Sequence, residues 1–286
     1  MIRKELHNNK KNKKHVDMVS VLIRGGVMLS ATITVAVLAF LILYIVFRGV
    51  PHLSLKMFAL QYDTTNLSLM PALINTIIIT FMALLFAVPV GVFSAIYLVE
   101  YAKRGNKVVG VIRITSETLS GIPSIVYGLF GLLFFVTALG WKLSILSGAA
   151  TLAIMVLPLI MRTTEEALKA VPDSFREGSF GLGAGRLRTV FRIVLPAAAP
   201  GILSGIILSI GRIVGESAAL IFTAGSVAEL PRSLFDSGRT LAVHLYNLSS
   251  EGLHVGEAFA TAVVLLVIVV LINWGSRKLA NRLTKA

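Results

Sequence analysis

The sequence predicts an all-α membrane protein that crosses the bilayer six times. Hydrophobic residues make up 56% of the 286 residues, charged residues make up only 14%, and the mean hydropathy is +0.84. Several segments exceed the roughly 18 apolar residues that a helix needs to cross a bilayer. An ordinary soluble fold is therefore excluded, because it could not keep so much apolar surface away from water.

Polar connections separate the apolar segments and divide the chain into three parts. Residues 1–18 form a basic tail, residues 19–276 a transmembrane domain of six helices, and residues 277–286 a second tail. The spacing of Leu241, Leu245 and Leu248 predicts a short interfacial helix before the last span. We place the six spans near residues 27–47, 71–99, 118–139, 145–161, 197–224 and 258–274. The third span could start as early as residue 111.

The distribution of basic residues predicts that both termini lie in the cytosol. Of the 27 lysines and arginines, 21 fall in the N-terminal region up to Arg24, in the C-terminal tail, and in the two connections that a six-helix topology puts on the same side. Such an excess marks the cytosolic side of a membrane protein. The net charge of +13 therefore indicates orientation in a lipid bilayer, with no nucleic acid as a partner.

The connection between the fourth and fifth spans, residues 171–196, has a pattern of its own. It reads VPDSFREGSFGLGAGRLRTVFRIVLP. Ser174 and Glu177 have capping-box spacing, which predicts a helix that begins there and ends near Gly183. A second short helix is predicted by an apolar stripe at helical spacing, which consists of Leu187, Val190, Phe191 and Val194.

The same connection resembles the cytoplasmic coupling loop of ABC-importer permeases. The family pattern is E-A-A, three residues, G, nine residues, I-x-L-P, and the matching residues here are Glu177, Gly183, Ile193, Leu195 and Pro196. Gly178 and Ser179 replace the two alanines, although both are still small. The resemblance implies a type I ABC importer permease fold, a family-like core at residues 71–276, and an ATPase-coupling loop at residues 163–196.

The sequence contains no nucleotide-binding or catalytic motif. The phosphate loop G-x-x-x-x-G-K-[ST] is absent, so ATP would have to be bound by a separate ATPase subunit. The motifs H-E-x-x-H and G-x-S-x-G are also absent, and the five histidines have no metal-ligand spacing. We therefore expect a transport subunit with no catalytic residue, no metal site and no cofactor of its own.

Two polar patches lie inside the predicted spans. In the fifth span, Arg212 and Glu216 are four residues apart and would share one helix face. In the third span, the run SGIPSIVYGLFG carries hydroxyls at Ser124 and Tyr127, and Pro123 interrupts the helix. Ionisable residues in a span are costly, so they usually pair or line a polar path. Both interpretations stay open: an ion pair that fixes helix packing, or a substrate path formed by these four polar residues.

These patches narrow the resemblance to phosphate-uptake permeases of the PstA type. The runs GIPSIVYGLFG, GRIVGESA and LAVHLYNLSSEG carry it, although Ala219 stands where family members usually have proline. The resemblance implies a multi-pass protein of a bacterial or archaeal cytoplasmic membrane. It also implies a PstC-like second permease, a PstB-like ATPase dimer and a PstS-like extracytoplasmic phosphate-binding protein.

Two alternatives remain from the sequence. One is an ABC permease for another oxyanion, such as phosphonate, sulfate or molybdate, because an arginine recognises the charged oxygens of all of them. The other is an ATP-independent secondary transporter that uses Arg212 and Glu216 as an ion relay. The second alternative leaves the coupling-loop pattern without a purpose.

Overall fold

The computed structural model describes residues 18–63, 65–103 and 105–283. Residues 1–17 of the predicted N-terminal tail and residues 284–286 of the predicted C-terminal tail lie outside this part, so the assignment of the tails stays a prediction. Every regular element in the described residues is a helix, as predicted. The chain divides into two compact units, Met1–Arg48 and Gly49–Ala286.

The first unit is built on one long apolar helix, α1 (Met18–Gly49), which is longer than the predicted span 27–47. Two of its hydroxyl groups bond within the helix. Thr32 Oγ1 donates to the Met28 carbonyl at 2.8 Å, and Thr34 Oγ1 donates to the Ser30 carbonyl at 2.9 Å. Because backbone and hydroxyl groups are satisfied internally, the helix can cross hydrocarbon without exposing unpaired polar atoms.

The second unit holds the remaining helices of the described chain. They are α2 (Met70–Ile96), α3 (Lys107–Ser120), α4 (Ser124–Gly131), α5 (Ile145–Lys169), α6 (Asp173–Gly181), α7 (Arg186–Thr189), α8 (Leu195–Val214), α9 (Ala218–Thr223), α10 (Leu241–Glu251) and α11 (Val255–Leu283). Helices α2, α4 and α7 continue into π-helical turns at Tyr97–Tyr101, Leu132–Ala138 and Val190–Val194. Two 3-10 turns, Val50–His52 and Leu55–Phe58, precede α2.

Helix α5 is the centre of the second unit and packs against both α2 and α8. Gly91 of α2 lies against Ile160 of α5, and Gly205 of α8 lies against Thr163, so closely that a Cβ at either glycine would clash. Small residues at helix crossings let backbones approach closely where lipid gives no hydrophobic drive between helices. The α5 side chain Leu152 is completely buried.

The described residues contain five helical segments that are long and apolar enough to cross a membrane. A sixth span is broken: α3 and the segment Ser124–Ala138 meet at an angle of 102°. Six spans are therefore present when this pair counts as one, and the predicted interruption of the third helix at Pro123 is confirmed. Pro123 explains the break, because it lacks a backbone N–H and adopts an extended conformation with ψ of 141°.

The fifth span also ends earlier than predicted. Helix α8 stops at Val214, and the short helix α9 begins only after Gly215, Glu216 and Ser217. By contrast, the short helix predicted from the leucine spacing is confirmed as α10. The side chain of Thr240 caps α10 by accepting a hydrogen bond from the Val243 N–H.

Candidate functional site

The coupling segment, residues 171–196, begins with α6, and Pro172 occupies the N-cap position. The predicted capping box of Ser174 and Glu177 was wrong: no side chain of the described residues caps this helix end. Because α6 starts at Asp173, Ser174 already lies within its first turn, and proline at the N-cap offers no side-chain acceptor. The carboxylate of Asp173 instead lies near the positive end of the helix dipole.

The predicted end of this helix near Gly183 is confirmed. Helix α6 ends at Gly181, and Gly183 adopts φ of +81°. The Gly183 N–H donates to the Phe180 carbonyl at 2.9 Å and closes the last turn. A positive φ strains any residue that carries a Cβ, so the backbone itself requires the glycine of the family pattern.

Ser179, which replaces a family alanine, faces the inside of the coupling segment. Its hydroxyl lies 2.8 Å from that of Thr189, and both side chains are buried. This bond holds α6 against α7. Farther along the segment, Ile193 and Leu195 are half-buried, while Pro196 is exposed near the start of α8, directly after the π-helical turn Val190–Val194.

The other face of the coupling segment is apolar and exposed. The residues of the predicted apolar stripe have two different environments. Val190 and Val194 are buried in the core, whereas Leu187 and Phe191 are exposed. Leu182 is 90% exposed, the largest exposure in this group. Contiguous exposed apolar residues usually mark a protein contact. The exposed apolar residues of this face are Phe175, Phe180, Leu182, Leu187 and Phe191, and Glu177 and Gly178 are also exposed.

Arg176 anchors α6 to the membrane helices. One nitrogen, Nη2, lies 2.7 Å from Glu100 Oε1 and donates to the Leu168 carbonyl at 2.9 Å. The other, Nη1, donates to the Val171 carbonyl at 2.7 Å and pairs with Asp173 at 3.2 Å. The hydrogen bond to Glu100 raises the pKa of Arg176, although burial acts in the opposite direction. Sequence reasoning missed this contact because Glu100 and Arg176 belong to no common local pattern.

Arg212, near the end of α8, lines a cavity of about 280 Å³ together with residues of α3 and α5. None of the ion pairs formed by the described residues includes Arg212. Among the described residues, its guanidinium therefore has no carboxylate within ion-pair distance. Other polar residues of this Arg212 cavity are Ser116, Glu117, Ser120, Arg162, Glu165 and Lys169.

Glu216 is not the partner of Arg212 in the described structure. Its Oε1 accepts a hydrogen bond from the Ala219 N–H at 3.1 Å and so satisfies a free donor at the start of α9. The expectation that the two residues share one helix face was wrong, because α8 ends at Val214 before it reaches Glu216.

Ser124 and Tyr127 do not line the Arg212 cavity, although Tyr127 is close enough to Arg212 for an electrostatic interaction. Tyr127 is buried in the core, and its hydroxyl donates to the Leu119 carbonyl at 2.7 Å. Ser124 is half-buried at the start of α4 and does not line the cavity either. The hydroxyl of the same run that does reach the cavity belongs to Ser120.

An ion-pair cluster that sequence reasoning missed forms another wall of this cavity. Glu165 is nearly buried between Arg113 Nη2 and Lys169 Nζ, each 2.6 Å from its Oε1. The spacing of Glu165 and Lys169 on α5 could have indicated their pairing. The contact with Arg113 could not be found in this way, because it joins α3 to α5.

Comparisons with known proteins agree with this architecture. A family model for the binding-protein-dependent transport system inner membrane component matches residues 87–285. The "Probable ABC transporter permease protein YqgI" of Bacillus subtilis (strain 168) is 37% identical, covering 96% of this chain and 98% of its own. The "Phosphate transport system permease protein PstA 1" of Mycobacterium tuberculosis (strain CDC 1551 / Oshkosh) is 36% identical over 71% of this chain and 67% of its own.

A solved structure supports the predicted type I ABC importer permease fold. It is a bacterial alginate ABC transporter in complex with an alginate pentasaccharide-bound periplasmic protein. It covers 92% of this chain and 97% of its own, with a TM-score of 0.67 and 16% sequence identity. At this identity the likeness concerns the fold alone.

Proposed function

The chain belongs to the family of binding-protein-dependent transport system inner membrane components, and we propose that it is a phosphate-conducting permease subunit of an ATP-driven importer. It would work with a PstC-like permease, a PstB-like ATPase dimer and a PstS-like binding protein. Relatives named as PstA phosphate permeases support this substrate, at 36% and 31% identity in Mycobacterium tuberculosis and Xylella fastidiosa.

The observation that carries the proposal is the unpaired Arg212 in its cavity. A guanidinium stays charged in apolar surroundings, and its planar set of donors matches the oxygens of a phosphate. Ser120 places a hydroxyl group in the same cavity. An oxyanion that enters the cavity would therefore meet the positive charge of Arg212, while the Ser120 hydroxyl already donates to the Glu117 carbonyl at 2.8 Å.

The remaining charges of this cavity favour passage over tight binding. Arg113 and Lys169 share the single carboxylate of Glu165, and Arg162 is bound to Glu166, so two carboxylates offset two of these three positive charges. The additional carboxylate of Glu117 opposes the accumulation of anions. A conducting site must attract its ion and still release it, and a single free arginine beside carboxylates meets both conditions.

The coupling segment supplies the connection to ATP in this proposal. The exposed face from Phe175 to Phe191 would contact the separate ATPase subunit, which binds the nucleotide. The bonds of Arg176 would carry a movement of α6 to the ends of α2 and α5. This arrangement puts the coupling segment and both termini in the cytosol, as the distribution of basic residues predicts.

Transport by the complete importer tests this function. The chain would be reconstituted in proteoliposomes with its cognate permease, ATPase and binding protein, and uptake of radiolabelled phosphate would be measured with and without ATP. We expect ATP-dependent uptake that excess sulfate, molybdate or phosphonate does not reduce. Preferential uptake of one of those competitors would assign another oxyanion, and equal flux without ATP would assign a secondary transporter.

A further inference from the structure

A second cavity lies between the coupling segment and the ends of the membrane helices. Its volume is about 810 Å³, within the range of small-molecule sites. Its walls come from the π-helical end of α2, from residues at the start of α3, and from α5, α6 and α7. This coupling cavity shares Arg113 and Lys169 with the Arg212 cavity, so the two adjoin through those side chains.

Positive charge dominates the coupling cavity. Its acidic residues, Glu100 and Asp173, are both bound to Arg176, which also lines it. Arg113 and Lys169 share the carboxylate of Glu165. In the described part of the chain, no ion pair neutralises the other basic residues of the wall, which are Lys103, Lys107 and Arg186.

The start of α3 and the position of Arg186 both suit an anion. The side chain of Asn106 caps α3 by accepting the Val108 N–H at 3.0 Å, and Asn106, Lys107 and Gly110 all line the cavity. The positive end of this 14-residue helix therefore contributes to the cavity. The guanidinium of Arg186 lies 5.7 Å from the centre of the Tyr101 ring, which positions it without neutralising its charge.

We propose that the coupling cavity binds a phosphate group, with Lys103, Lys107 and Arg186 as its main contacts. The group can be the headgroup phosphate of an anionic lipid or inorganic phosphate, because both present the same charged oxygens. A bound anion would bridge the start of α3 to α7 and so stabilise the position of the coupling segment. This proposal does not depend on the identity of the transported substrate.

The test uses the purified full chain and a triple variant, K103A/K107A/R186A. Inorganic phosphate binding would be measured by isothermal titration calorimetry in a neutral detergent. Lipid binding would be measured by native mass spectrometry after extraction from phosphatidylcholine nanodiscs with and without phosphatidylglycerol. The matched control, R188A/R192A/K278A, removes the same charge from exposed residues that do not line the cavity. A fourth protein, R212A, separates this cavity from the Arg212 cavity.

We expect the triple variant to bind inorganic phosphate or phosphatidylglycerol at least about tenfold more weakly than the wild type. The matched control should keep its affinity for both probes, and R212A should keep its affinity for phosphatidylglycerol, since Arg212 lines the other cavity. Loss of lipid retention alone identifies a headgroup, and loss of phosphate binding alone identifies the free ion. Wild-type affinity in the triple variant, an equal loss in the matched control, or no binding of either probe by the wild type would overturn the proposal. If the alanine variant does not purify as a folded protein, K103Q/K107Q/R186Q replaces it.

Discussion

Arg176 and Arg212 are two arginines of the same unit with opposite surroundings. Arg176 has carboxylates from Glu100 and Asp173 and carbonyl groups from two further residues around its guanidinium. Arg212 faces a cavity, and no ion pair of the described residues includes it. The guanidinium of Arg176 therefore has protein partners, whereas the guanidinium of Arg212 has donors left that could bind a ligand.

The difference separates anchoring from transport. A buried ion pair whose hydrogen bonds are all satisfied holds two elements in one geometry, and the loss of one partner leaves a costly buried charge. An arginine without a partner adds little to folding but can bind an anion for a short time. Replacing Arg176 should therefore damage the folded protein, and replacing Arg212 should damage uptake alone.

The largest expected effect is that of Arg176→Ala. Side-chain exposure of Glu100 is only 8%, so the substitution would leave an unpaired carboxylate in a buried position. We expect the free energy of unfolding to fall by about 3 kcal/mol, together with loss of the ATPase from the complex, measured by denaturant unfolding and by co-purification. The double variant E100Q/R176M should recover part of the loss. Unchanged unfolding of R176A would show that this contact is not an anchor.

Arg212→Ala should give the opposite result. Phosphate uptake by the reconstituted importer should fall by at least about 100-fold, while membrane abundance and thermal unfolding stay close to those of the wild type. Arg212→Lys keeps the charge but loses the two-pronged geometry, so it should retain only a fraction of the uptake. Degradation of R212A in the membrane would instead show that Arg212 supports packing, as Arg176 does.

Gly183→Val tests whether the shape of the coupling segment matters for ATPase binding, as the Arg176 contact with Glu100 does. A Cβ at this position would meet no atom within 4 Å, so the cost of about 1–2 kcal/mol comes from the positive φ alone. We expect weaker ATPase binding and slower uptake. Gly178→Ala is the matched control, because it restores a family alanine in open space with ordinary helical geometry. Equal ATPase binding by both variants would contradict a docking role for this turn.

The smallest effect should come from Arg162→Ala. Arg162 lines the Arg212 cavity, but its partner is Glu166, and both side chains are 65% exposed. Solvent screens such a pair, so we expect a change of less than about 0.5 kcal/mol in unfolding and nearly normal uptake. A large loss of uptake would show that the compensated charges of the cavity also participate in transport.

Several features follow from the sequence because they depend on local composition and spacing. Long apolar segments must form helices that satisfy their own backbone in lipid, so the spans could be placed without tertiary information. Gly183 could be located because the end of a helix requires a positive φ there. The short helix α10 and the presence of a charged residue, Arg212, within an apolar segment are local features of the same kind.

Only the tertiary structure decided which groups meet. Arg176 contacts Glu100, and Arg113 contacts Glu165, because separate helices pack side by side, and no local period records such contacts. The tertiary structure also decided the role of Glu216. Because α8 ends at Val214, two residues before Glu216, the Glu216 carboxylate accepts a hydrogen bond at the start of α9 and does not pair with Arg212. Sequence spacing describes neighbours along one helix, whereas ion pairs and cavities depend on distances between helices, and those distances exist only after packing.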